Sequence, residues 1–364
     1  IEGNYCYGPD RLSLTNGESR AKLAKRLTLL RNNFNWVGML DWAAQATLDK
    51  ERQGEPFVEV GTMPLRKGSP WLIEPLLPLG HPTMLFGEGG IGKSTTAEIL
   101  GFCVYTGWGE PLGLKVRNKG PVLYLDWERD SQIINDTLKD IQAGLNLPDP
   151  PKFVYRFCDQ PLIDMVEIVR EIIFKQKIAL VIVDSVVPAC GGAREAKENA
   201  EPLFRALREF KTTSLLISHE VKDQFQKKHT PYGDVFFWNR ACMVWHMRGD
   251  PDQEGPTNEL GLWNLKYNFG PRQTPWGLRL IRDEIGCLKA EKFDLIRHET
   301  LSKHLNVRPR IEQALKRQAK TARILSEELE IPLPTIQRTL RRWKNKTFVL
   351  LEGDSWANLR LKEE

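Results

Sequence analysis

Gly87-Glu88-Gly89-Gly90-Ile91-Gly92-Lys93-Ser94 is the stretch on which the fold turns. It meets the pattern G-x-x-x-x-G-K-[ST] at every fixed position. Before it, Thr83-Met84-Leu85-Phe86 is apolar and reads as a buried strand; after it, Thr95 to Tyr105 reads as a helix. Strand, glycine-rich turn and helix form the setting in which such a loop wraps phosphates. Glycines let the backbone aim its N–H groups inward, and the helix N-terminus adds a positive dipole end. Gly87, Glu88, Gly89, Gly90, Ile91, Gly92, Lys93, Ser94 and Thr95 are the expected cradle. Lys93 would reach the β- and γ-phosphates of ATP, and the Ser94 hydroxyl would hold Mg²⁺.

Outward from the loop, strand-like and helix-like segments alternate from 83 to about 285. Strands are expected at Thr83–Phe86, Val122–Asp126, Phe153–Phe157, Leu180–Asp184, Ser214–Ser218, Cys242–Met247 and Leu260–Tyr267. Helical stretches separate most of the first five, which predicts an α/β fold with a largely parallel sheet covered on both faces. Residues 1–70 read as a polar helical region and lead-in, with helices over Glu18–Arg31 and Trp36–Gln53 and Asn35 as a cap. The segment Trp71–Pro78 reads as a hairpin. A boundary is expected near 286–292, giving a core over 71–288 and a charged, helical tail over 289–364.

Three strand ends carry chemistry. Ala179-Leu180-Val181-Ile182-Val183-Asp184-Ser185 is an apolar strand ending in a carboxylate, 91 residues after Lys93, which is the Walker B pattern. Asp184 would orient Mg²⁺ and its waters. Val122-Leu123-Tyr124-Leu125-Asp126-Trp127-Glu128 ends in two acids; Glu128 is the expected base toward the water that attacks the γ-phosphate. The competing reading makes Glu128 a cap on the next helix. Ser214-Leu215-Leu216-Ile217-Ser218-His219 ends in a histidine placed to contact the γ-phosphate, or else a satisfied edge histidine.

The chain has 364 residues, enough for roughly two to three domains and a large core. Six cysteines are scattered with no C-x-x-C pair, which predicts a reducing cytosol and no zinc site. No apolar run approaches the ~18 residues of a membrane helix, and no signal peptide is visible, so a cytoplasmic protein is expected. The start at Ile1 rather than Met suggests that upstream sequence has been removed. Net charge is +5, but residues 289–364 alone hold 17 Lys+Arg against 11 Asp+Glu. The basic surplus lies in the tail and favours a polyanion partner there.

The order of these features resembles RecA-type ATPases, most closely the RepA-like and DnaB-like hexameric helicase branch. Pro231-Tyr232-Gly233-Asp234 leading into Trp238-Asn239-Arg240-Ala241-Cys242-Met243-Val244-Trp245 is similar to that branch's Gly-containing loop and following strand. Lys266-Tyr267-Asn268-Phe269-Gly270-Pro271 resembles its K-x-R-x-G-P element. The resemblance covers about 70–285. It implies that Lys266 reaches a neighbouring subunit's ATP, in a homo-oligomer expected to be a hexamer. Asn268 stands where the family has Arg, which puts a full arginine finger in doubt, and Arg272 is the nearest substitute. A solvated strand-end lysine is the plain alternative for Lys266. The resemblance also implies single-stranded DNA contact through two central loops, here carrying Arg194 and Lys197, then Lys227 and Lys228. Mobile solvated loops are the alternative there.

The tail reads as a winged helix-turn-helix over 310–360. Helices are expected at Arg310–Lys320, at Ala322–Glu330 capped by Thr321, and from Thr335 as cap to about Lys344. Ile324, Leu325 and Leu329, then Ile336, Leu340 and Trp343, would face inward. Gln337, Arg338, Arg341, Arg342 and Lys344 would face out, as suits a helix entering duplex DNA. Docking of a protein partner is the alternative. Two functions stay open: an ATP-driven DNA motor, such as a replicative helicase of a plasmid or phage working with other replication proteins, and an ATP-switched DNA-binding adaptor.

Overall fold

Asn16 and Asn35 open the two helices of the N-terminal unit. The Asn16 side chain accepts from the amides of Glu18 and Ser19 at the head of Gly17–Leu30, and Asn35 accepts from Gly38 at 3.1 Å at the head of Trp36–Gln53. Arg20 pairs with Asp41 across them at 2.6 Å, over buried Ala24 and Ala44. This computed structural model describes residues 13–53, 57–64, 68–147, 151–192, 196–222, 229–231, 235–250 and 257–359. The chain divides into two units, 1–67 and 68–364.

Nine strands form the main path of the large sheet of the second unit: β1 (Pro82–Gly87), β2 (Val122–Asp126), β3 (Val154–Phe157), β4 (Leu180–Asp184), β5 (Thr213–Lys222), β6 (Met243–Gly249), β7 (Thr257–Tyr267), β8 (Trp276–Arg282) and β9 (Leu288–Phe293), and a tenth, His229–Pro231, pairs antiparallel with the end of β5. They run in the order β9-β8-β7-β6-β1-β5-β4-β2-β3. Pairing is parallel from β6 across to β3 and antiparallel from β6 to β9. β5 therefore lies between the loop-bearing β1 and the Walker B strand β4. This is a RecA-like arrangement.

The alternation of strand side chains explains the two covered faces. Leu85, Tyr124, Ile182, Leu215 and Ile217 point one way and pack under helices Lys93–Thr106 and Ser131–Gly144. Met84, Phe86, Leu123, Leu125, Val181, Val183 and Leu216 point the other way, against helices Val166–Gln176 and Ala196–Glu209. Both sets are buried, so these strands are apolar throughout rather than alternating in polarity. Trp71–Glu74 pairs with Leu77–Pro78 as the expected hairpin, and the Trp71 ring stacks on Tyr267 at 5.2 Å.

The core runs beyond residue 288, where the sequence reading ended it. β8 and β9 complete the sheet, and β9 falls on the expected boundary. Leu288 and Ala290 are buried, while Lys289 and Glu291 alternate outward. The end of helix Ser131–Gly144 comes close to this strand. A Cβ on Gly144 would lie 2.2 Å from the Leu288 carbonyl oxygen, so the approach requires glycine.

The tail contains helices Val307–Ala314, Ala322–Glu328 and Leu333–Arg342, with strands Lys320–Thr321, Phe348–Leu350 and Ser355–Asn358. Ser355–Asn358 is the central strand of that small antiparallel sheet. Ile311, Leu315, Leu325, Ile336, Leu340 and Phe348 form its core. This is the helix, helix, helix and hairpin order expected for 310–360, with differences in detail. The first helix ends at Ala314, and Lys320 is already in a strand. Thr321 caps the second helix as expected, but Ile324 is 48% exposed because the turn of the helix aims it outward. The third helix starts three residues early, with Pro332 at its cap and Thr335 inside it. Proline's fixed φ suits that first turn. Trp263, Leu295, Leu301 and Leu305 join the tail to β7 through a separate apolar cluster. Among the described residues no helix is long and apolar enough to cross a membrane.

Candidate active site

The in-register strands bring their C-terminal ends to one line. Gly87 is opposite His219, and Asp126 is opposite Asp184. In an open α/β sheet the crevice beyond those ends is where ligands bind. The loop itself takes left-handed conformations at Gly90 (φ 77) and Gly92 (φ 99), which a side chain would oppose. Helix Lys93–Thr106 then begins at Lys93, followed by Ser94 and Thr95. Asn258 of β7 donates to the Ile91 carbonyl at 3.2 Å and braces the loop from the side.

Lys93 is only 5% exposed, and its ammonium donates to the Glu88 carbonyl at 2.5 Å. Burial lowers its pKa, while Asp184, Glu128, Glu220 and Glu88 pull it back up. A buried ammonium held by a loop carbonyl and surrounded by carboxylates is suited to receive an anion at the loop's centre.

Glu128 stands beside this loop. Its Oε1 accepts from the Ser185 hydroxyl at 2.7 Å, and the His219 Nε2 lies 3.8 Å from the same oxygen. His219 also lies 4.0 Å from where a Cβ on Gly89 would sit. The structure therefore brings Glu128 and His219 together at the loop. It also separates Glu128 from the capping alternative. The next helix, Ser131–Gly144, is capped by Asp130, whose carboxylate accepts from the amides of Gln132 and Ile133. Asp126 takes the other local duty: its Oδ1 accepts from the amides of Glu128 and Arg129, fixing the turn that presents Glu128.

Asp184 is 2% exposed. Its Oδ2 accepts from the Tyr124 hydroxyl at 2.7 Å and from Arg129 at 3.1 Å. Arg129 also faces buried Glu98 at 2.8 Å and Asp126 at 3.5 Å. Burial raises the pKa of both acids, Glu98 to about 7. Arg129, Ser185, Tyr124, Glu98 and Asn258 escaped the sequence reading. Only Ser185 carried a local signal, as the residue after the Walker B Asp.

The donor set fits a magnesium nucleotide. The Ser94 hydroxyl and the Asp184 carboxylate are hard oxygen ligands of the kind Mg²⁺ takes alongside phosphate oxygens and water. The loop is bare of side chains where phosphates would approach; nothing lies within 4 Å of a Cβ placed on Gly90.

Lys266 occupies a different position. Its ammonium donates to the carbonyls of Trp238, Asn239 and Ala241, which end the short helix Val235–Arg240. Burial lowers its pKa. It thus caps a helix of the same chain, and neither Asn268 nor Arg272 beside it is buried. Of the residues expected on the central loops, Arg194, Lys227 and Lys228 lie outside the described residues, as does the side chain of Lys197. The segments that carry them leave the ends of the adjacent strands β4 and β5. Gln337, Arg338, Arg341, Arg342 and Lys344 are all exposed, on the face opposite buried Ile336 and Leu340.

The titration of Glu98 gives a test of the buried cluster. Its folded pKa lies above the ordinary carboxylate value, so its contribution is fully present below about pH 4.5 and is lost as pH rises through 7. The stability of the wild type relative to Glu98→Gln should therefore fall between pH 5 and 8, by on the order of 1–3 kcal/mol. Urea unfolding of both proteins across that range measures it. A flat difference would show that Glu98 does not titrate there.

A family model described as an AAA domain matches residues 64–224. That span holds the loop, the Glu128 strand, the Walker B strand and the Ser-His strand. No curated protein sequence matches the chain. Among solved structures, a KaiC-like protein from the hyperthermophilic archaeon Pyrococcus horikoshii aligns over 61% of this chain and 94% of its own, with 15% identity and a TM-score of 0.44.

Proposed function

We propose that the protein is an ATP-driven DNA motor, of the kind that RepA-like replicative helicases of plasmids and phages represent. The observation that carries ATP hydrolysis is the position of Glu128, clear of any helix cap, bonded to Ser185 and close to His219 beside the phosphate loop. Lys93 and the loop amides would hold the triphosphate. Ser94 and Asp184 would hold Mg²⁺, which neutralises charge on the phosphates when bound. Glu128 would take the proton of the attacking water. Ser185 keeps its carboxylate oriented, and His219 lies between that carboxylate and the loop, where loss of a γ-phosphate would be felt. Single-stranded DNA would pass the loops after β4 and β5 in a ring of identical subunits, and the exposed basic helix Leu333–Arg342 would grip duplex.

A second reading is an ATP-switched adaptor that assembles on DNA and turns over slowly. The engagement of Lys266 with its own helix carbonyls favours it, because that amine is then unavailable to a neighbour. ATP hydrolysis with and without single-stranded DNA, with mass tracked alongside, separates the two. Strong stimulation in a ring-sized assembly supports the motor. Turnover that ignores DNA, in a protein that fails to open forks, rules it out.

The tail has its own test. Arg338→Ala/Arg341→Ala/Arg342→Ala should weaken duplex binding and flatten its salt dependence by roughly two to three phosphate contacts, with DNA-independent turnover unchanged. An unaltered salt slope would assign the helix to a protein partner instead.

A further inference from the structure

Arg129 lies among three carboxylates that come from three different elements. Its Nη1 lies 2.8 Å from Glu98 Oε1, its Nη2 3.1 Å from Asp184 Oδ2, and its Nε 3.5 Å from Asp126 Oδ2. The same Nη2 donates to the Tyr124 hydroxyl at 2.5 Å, which in turn donates to Asp184 Oδ2 at 2.7 Å. Glu98 and Asp126 have no exposed surface and Asp184 almost none. Glu98 belongs to the helix that begins at Lys93, Asp126 ends the Glu128 strand, and Asp184 ends the Walker B strand.

We propose that Arg129 is a positioning residue that sets the magnesium affinity of the site by fixing the Asp184 carboxylate. The inference rests on reading the crevice as a magnesium–nucleotide site. Two donors on Oδ2 stop the carboxylate from rotating and leave Oδ1 as the oxygen to offer a cation. Partners of this kind orient a ligating carboxylate, and their loss typically costs ~10–100-fold in metal affinity. The fork of the guanidinium matters as much as its charge, because three nitrogens serve three acids at once. A lysine ammonium is a point charge without that geometry. Glu98 is what holds the fork in place, tying it to the helix that carries the phosphate loop.

The test is binding of a fluorescent ATP analogue to the full chain, with and without EDTA, and then titrated with Mg²⁺. In Arg129→Gln the Mg²⁺ midpoint should rise about 10–100-fold, while binding in EDTA stays within about twofold of wild type. Arg129→Lys should recover only part of the shift. Glu98→Leu, which removes the acceptor facing Nη1 while keeping Arg129, should shift the midpoint in the same direction by less, and it serves as the readout if Arg129→Gln fails to fold. A wild-type Mg²⁺ midpoint in Arg129→Gln, or in Glu98→Leu where that variant must stand in, overturns the proposal. So does an equal loss of binding in EDTA and in Mg²⁺, since a purely structural role predicts that. Wild-type protein that binds the analogue with no Mg²⁺ dependence would instead refute the reading of the crevice itself.

Discussion

Lys93→Ala should reduce ATP turnover by at least ~10³-fold and weaken nucleotide binding with it. The expectation follows from what surrounds the ammonium. It is buried, it satisfies the Glu88 carbonyl, and Asp184, Glu128, Glu220 and Glu88 all act on its charge. Removing it deletes the one positive group at the centre of the loop and leaves those acids facing an incoming polyanion. Loss of a single preorganised donor to developing charge costs ~10²–10³-fold, and repulsion of the triphosphate adds to that. Steady-state hydrolysis and equilibrium binding of labelled ATP give the two numbers. Turnover within tenfold of wild type would remove Lys93 from the phosphate site.

Glu128→Gln should separate binding from cleavage. The amide is nearly the same size as the carboxylate and keeps an oxygen to accept from Ser185, so the turn fixed by Asp126 should stand. What disappears is the capacity to take a proton, for which general-base contributions run to ~10²–10⁴-fold. ATP should bind about as tightly as in wild type and persist uncleaved, seen as retained nucleotide after gel filtration. Near-normal hydrolysis in Glu128→Gln would pass the base role to another group.

Much of this site was legible because its signals are local. The loop is a contiguous motif, and β2 and β4 end at Asp126 and Asp184 where the apolar runs end. Glu128 stood out as an acid just beyond such a strand. Arg129 gave no comparable sign. In the run Glu128-Arg129-Asp130 it reads as an ordinary loop cation, and its partners Glu98 and Asp184 lie 31 residues before it and 55 after. Only the sheet order brings them together. Lys266 is harder to read for the opposite reason: its neighbours match a motif, while its amine finds the carbonyls of helix Val235–Arg240, where the sequence suggests a loop leading into a strand. β8 and β9 were missed because their outward positions, Arg279, Arg282, Lys289, Glu291 and Lys292, give the segment the charged texture of the tail.

The pairing of β9 with β8 also decides where the chain can be divided. A cut at 288, where composition shifts, would strip the outermost strand from the sheet. The backbone amides and carbonyls of Trp276–Arg282 that now serve β9 would be left unpaired along a flat edge, next to the apolar side chains that Leu288 and Ala290 had covered. Such an edge recruits strands from other molecules. Shortened proteins ending there should precipitate for reasons unrelated to the tail's function, and any loss of DNA binding in them would be uninformative. The usable point of division lies after Leu305, because Leu295, Leu301 and Leu305 pack on Trp263 of β7, and just before helix Val307–Ala314.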